Sequence, residues 1–159
     1  MAGVNNDTVS MVRGTPAILN LNGTNDGFGV VLPSTAGAAK SNAFQFGVCG
    51  TQTSGGLAVN AKDDFLAYGY CPYAIIQYAT RSASTASWTS SASIASGAVL
   101  SIDTVNNAFA TQAASHSSVG LLPVAVLLDS IASFAASASA TTDSRTALTA
   151  GLRVFVRFL

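Results

Sequence analysis

The sequence predicts an all-β protein: one β-barrel, β-tulip or sandwich domain with long Ala/Ser-rich loops and at most one short helix. Short apolar runs alternate with turn signals through most of the chain, the pattern of an all-β sandwich or barrel. Several runs place their large side chains on every second residue, as a half-buried strand requires. No repeat of fixed period is visible, which disfavours propellers and solenoids. A length of 159 residues suits one domain with its own core, expected to span 1–159 with residues 1–16 as an extended N-terminal arm.

The elements follow in order. Residues 17–21 (AILNL) and 28–32 (FGVVL) flank a segment holding Asn22-Gly23 and Asp26-Gly27, dipeptides that supply positive φ in hairpin turns. In residues 44–49, Phe44, Phe46 and Val48 share one face, and in residues 65–71 (FLAYGYC) Leu66, Tyr68 and Tyr70 do, so each reads as a strand. Residues 73–80 (YAIIQYAT) and 99–104 (VLSIDT) continue the series, the second turning at Asn106-Asn107 into 108–112. Residues 121–128 (LLPVAVLL) are apolar on both faces and read as a buried strand with Pro123 near its start. Leu127, Leu128, Ile131, Phe134 and Ala135 fit a short helix or a buried strand leaving the core. Residues 152–159 (LRVFVRFL) put Val154, Val156 and Phe158 on one side and Arg153, Phe155 and Arg157 on the other, a strong terminal strand.

Composition narrows the function. The chain has no glutamate, two lysines and 9% charged residues, with a positive mean hydropathy. Such a protein lacks the mixed-sign charged surface that keeps monomers apart, which points to a structural component of an assembly. Seven basic residues balance seven aspartates, so no basic footprint for nucleic acid exists. The first residues show neither a basic n-region nor an apolar h-region, so synthesis in a cytoplasm is expected. The longest apolar run, residues 119–128, is half the ~20 residues a spanning helix needs, so no membrane span is expected.

Catalytic tools are scarce. With His116 the only histidine and no glutamate, two-histidine zinc motifs, paired-glutamate sites and EF-hand loops are excluded, and no Gly-x-Ser-x-Gly elbow occurs. His116 reads as a loop residue, Asp63-Asp64 as a charged turn ahead of a strand, and Gly55-Gly56 as a turn. Cys49 and Cys71 read as small buried hydrophobes, with a disulfide formed after release from the cell as the alternative. No catalytic residue, metal or cofactor is expected. Tyr68, Tyr70, Tyr73 and Tyr78, with Trp88 further on, suit a protein interface, a sugar platform or an aromatic core alike. Arg153 and Arg157 share a strand face and suit carboxylates of a neighbour or the domain's own sheet. Residues 10–16 (SMVRGTP) read as a flexible arm presenting Arg13 to a partner carboxylate.

The series 12–17 (VRGTPA), 29–37 (GVVLPSTAG), 46–50 (FGVCG), 65–71 (FLAYGYC) and 152–159 (LRVFVRFL) resembles the small head-decoration, or cement, proteins of tailed bacteriophages. The resemblance implies a β-barrel or β-tulip module on the outer face of an icosahedral capsid, commonly a trimer, that clamps neighbouring major capsid subunits. It implies the major capsid protein and further copies of itself as partners, and no cofactor. A receptor- or carbohydrate-binding module of the virion surface is the alternative, with the tyrosines and Trp88 lining a groove.

Overall fold

The computed structural model describes residues 1–20, 28–36, 45–76, 80–81, 88–90, 93–104, 107–111, 123–131, 134–136 and 152–159. Among them the chain is nearly all β, with one short helix, α1 (Pro33–Ala36), which starts on a proline whose fixed φ suits the first helical position. No described helix is long and apolar enough to cross a membrane.

The first of two closed barrels contains β1 (Ala2–Asn5), β2 (Pro16–Leu19), β3 (Gly29–Val31), β4 (Gln45–Cys49) and β5 (Lys62–Leu66), in the order β1-β3-β2-β4-β5. Strands β2 and β3 form the expected antiparallel pair, with Ile18 opposite Val31 and Leu19 opposite Val30. The turn dipeptides between them lie outside the described residues. Closure comes from β1, which runs parallel to β3 and antiparallel to β5.

Two expectations fail here. The extended arm over residues 1–16 is built into the barrel: residues 2–5 form a strand, Met11 is fully buried, and its backbone bridges to Leu57. The polar look of this segment misleads because its polar groups find partners inside. Asn5 donates from Nδ2 to the carbonyls of Val9 and Leu57 and accepts from the Asp7 N–H, while the Asp7 carboxylate accepts from the N–H groups of Thr8 and Leu32. Likewise Asp63 and Asp64 sit within β5, paired with Gly3 and Ala2, instead of in a turn.

The second barrel contains β6 (Tyr70–Ile76), β9 (Val99–Asp103), β10 (Ala108–Thr111), β11 (Ala125–Leu127) and β13 (Leu152–Phe158), in the order β10-β6-β13-β11-β9. The expected hairpin of β9 and β10 is present, with Asn107 at φ 52°. The run FLAYGYC is not one strand. Phe65 and Leu66 end β5, Tyr70 and Cys71 open β6, and the chain turns between them through Gly69 at φ 81°. Among the described residues no helix forms around residue 131: β11 occupies 125–127, Ile131 exchanges two backbone hydrogen bonds with Ile94, and β12 is Phe134–Ala136. A third sheet joins β12 to β8 (Trp88–Ser90) and β7 (Thr80–Arg81).

Closing both sheets removes exposed ladder edges, which an almost uncharged chain can protect only poorly with lysines. The barrels share a core cluster. Ala17 and Cys49 pack inside the first barrel with Met11, Val30, Leu57 and Phe65, whereas Ile18 and Val48, on the opposite pleat of β2 and β4, pack with Ile76, Phe109, Leu127, Val156 and Phe158. One apolar cluster thus joins the two barrels.

Candidate contact face and cavity

The site begins with a glycine. Gly14 has φ 93°, and a Cβ there would collide with the Tyr73 carbonyl oxygen. Lacking one, the segment presses against β6 and is fixed between the barrels: the Gly14 N–H donates to the Cys49 carbonyl and the Ile75 N–H donates to the Gly14 carbonyl, each at 2.9 Å.

That approach lays the Arg13 guanidinium over the Tyr73 ring, 4.2 Å from its centroid, a cation–π contact. Arg13 Nη1 donates to Gln52 Oε1 at 3.1 Å, and Arg153 Nη2 donates to the Arg13 carbonyl at 3.3 Å. Arg13 Nε is buried and has no hydrogen-bond partner among the described residues. The two arginines, Tyr73 and the hydroxyl- and amide-bearing loop 51–54 line a cavity of about 280 Å³ that no described carboxylate lines. Burial pushes the Tyr73 hydroxyl above its ordinary pKa, reinforced by Cys71 and opposed by the Arg13 charge, so the phenol stays protonated at neutral pH.

A β-bulge explains why Tyr73 faces this cavity. Val154 pairs with Ala74 and Val156 with Cys71, so Pro72 and Tyr73 together oppose the single residue Phe155. Two consecutive β6 residues therefore fall on the outer side of the second barrel: Pro72 is exposed, and half-buried Tyr73 packs against the edge of the core cluster. On β13 the alternation is regular. Val154, Val156 and Phe158 are buried, and Arg153, Phe155 and Arg157 are exposed.

Beyond the cavity the face continues as aromatic surface. The Tyr70 and Phe155 rings lie 6.0 Å apart at 54°, and Tyr70 stands opposite Arg157 in the ladder. Tyr68, at the turn before β6, is 77% exposed and Tyr70 58%, values that suit a contact surface rather than a core. Asp129 receives the Phe155 N–H at 2.6 Å, which holds the middle of β13 in place.

Of the residues singled out in the sequence, Arg13, Tyr73 and Arg153 converge on the cavity, and Tyr70 and Arg157 lie along the same strand pair. Tyr68 borders it. Trp88 stands in β8 of the separate sheet, and Tyr78 and His116 lie outside the described residues. Cys49 and Cys71 are free and buried, and burial raises both thiol pKa values, leaving them protonated and weakly nucleophilic. The loop 51–54 and Phe155 were not among the sequence candidates. Phe155 alone had a signal, its place between two arginines on the outward pleat.

No protein-family model, curated protein or solved structure matches this chain. The face itself therefore carries the functional argument.

Proposed function

We propose that this chain is a structural protein of a virion surface, which binds the outer face of a capsid and stabilises the head by bridging neighbouring capsid subunits. The observation that carries this reading is the gathering of Arg13, Arg153 and Arg157 with Tyr70, Tyr73 and Phe155 on one side of β6 and β13. Arginine and aromatic residues are those most enriched at protein interfaces and among their energetic anchors. Three cationic side chains on one face call for a partner surface that supplies carboxylates, and the exposed rings of Tyr68, Tyr70 and Phe155 call for apolar contact beside them. The low charge of the whole chain and its resemblance to phage decoration proteins agree with a role exerted through contact. In this reading the partners are the major capsid protein and further copies of the chain as a homotrimer, the location is the capsid exterior, and synthesis is in the host cytoplasm.

Particles lacking the protein are expected to assemble with normal geometry but to release their genome at lower temperature, and adding the purified protein back is expected to restore them. Phe155→Ala with Tyr70→Ala should weaken add-back binding by about 2 kcal/mol or more, the range of interface anchors. Full restoration by that variant would exclude this face.

Self-association has its own check. Sedimentation at micromolar concentration should show a species larger than the 16.0 kDa chain, and a clean monomer at high concentration would remove the trimer from the proposal.

A receptor- or carbohydrate-binding role for the virion surface is favoured by one observation, the joint exposure of the Tyr68 and Tyr70 rings. Particles that are robust without the protein but fail to attach to cells would select it.

A further inference from the structure

We infer that the cavity between Arg13 and Arg153 is a carboxylate-binding site, and that its occupant in the assembly is an acidic side chain of the neighbouring subunit. The identity of the occupant rests on the contact-face reading above. The ligand chemistry does not, because it follows from the cavity alone.

Two guanidinium groups from opposite ends of the sequence meet here, and both hydrogen-bond neutral acceptors, the Gln52 side chain and the Arg13 carbonyl. Cations that line one cavity repel one another, and in a partly desolvated site that repulsion is weakly screened. Arg13 is held against the Tyr73 ring, and no described carboxylate lines the cavity to neutralise either guanidinium. An anion in the cavity would relieve the repulsion and neutralise the two charges. Guanidinium forks match the planar carboxylate with paired hydrogen bonds, and the remaining carboxylate lone pairs can accept from the hydroxyls of Thr51, Thr53 and Ser54 that line the same space. A volume of about 280 Å³ admits the end of an acidic side chain with its attached backbone. The cavity also lies beside the exposed aromatic surface of Tyr70 and Phe155, so a subunit docked on that surface brings a side chain within reach.

The test uses the isolated full chain and a small probe, N-acetyl-glutamate amide, followed by amide NMR. Titration is expected to shift resonances around residues 12–14, 51–54 and 153 with saturation in the millimolar range, while the uncharged N-acetyl-glutamine amide leaves them unmoved. Arg153→Gln, an exposed change that keeps the fold, should weaken binding about three- to tenfold. Arg13→Lys, which keeps the charge but loses the fork, should weaken it by a similar factor. Equal binding of the neutral probe, or no response to either, would overturn the inference. So would inorganic phosphate binding more tightly than the carboxylate, which would make this a phosphoryl site. An acidic peptide that binds no better than the amino-acid amide would retain the carboxylate chemistry but overturn a protein segment as its source. None of these outcomes depends on a capsid, so particle experiments fail or succeed separately.

Discussion

Deleting residues 152–159 is expected to abolish cooperative folding. Strand β13 pairs with β6 on one side and β11 on the other, so its loss opens the second barrel and exposes two ladders at once. Val154, Val156 and Phe158 leave the core with it, and each buried side chain of this size contributes about 1.5–3 kcal/mol by apolar transfer. Their sum approaches the whole stability of a typical domain, about 5–15 kcal/mol, before any stranded backbone group is counted. The second barrel's core is continuous with Ile18 and Val48 of the first, so the damage is not confined to one half. Circular dichroism during heating reads the outcome, and a truncated chain that melts cooperatively near the parent temperature would refute the account. Phe158→Ala provides the graded case. It removes a ring packed 6.4 Å from that of Phe109 and should cost about 3–5 kcal/mol while leaving both ladders in place.

The terminal strand was legible in the sequence because one periodicity sufficed: both faces of residues 152–158 carry the side chains their surroundings demand. The β2–β3 and β9–β10 pairs were legible for a related reason, since adjacent strands are joined by local turn chemistry. What stayed hidden depended on distant partners. Asn5 and Asp7 fall in the segment that reads as an extended arm, and only Leu57 and Leu32, far along the chain, which accept from and donate to them, tie it into the barrel. The break inside FLAYGYC rests on one glycine φ, invisible beneath an otherwise regular alternation. The apolar spacing around Leu127 and Ile131 fits a helix equally well, and pairing with Val156 and Ile94 decides for strand and bridge.

The face was half legible. Residue types and outward register nominate Arg153 and Arg157, and the composition of residues 10–16 presents Arg13 to a carboxylate. That Arg13 and Arg153 meet across 140 residues is a property of barrel packing, and the bulge that turns Tyr73 toward them leaves no trace in the pattern. The loop 51–54 is ordinary turn composition and gains meaning only from what faces it.

Gly14→Ala is expected to be the most damaging single substitution at the site, and three glycines separate the reasons. Gly55 faces open space without an unusual φ, so Gly55→Ala should change stability by no more than about 0.5 kcal/mol. Gly97 also faces open space but has φ 90°, so Gly97→Ala isolates backbone strain, about 1–3 kcal/mol. Gly14 combines φ 93° with the approach of the Tyr73 carbonyl, an atom of the β6 backbone that no side-chain rotation can move aside. Relief requires the segment to lift away, which breaks the bonds from Ile75 and to Cys49 and draws Arg13 off the Tyr73 ring. A loss of about 3–5 kcal/mol is therefore expected for Gly14→Ala, together with loss of carboxylate binding even under conditions where the variant remains folded. Urea unfolding of the three variants orders them Gly55, Gly97, Gly14 by cost. If Gly14→Ala is no more costly than Gly97→Ala, the close contact with β6 does not hold the site together, and Arg13 must be positioned by Gln52 and Arg153 instead.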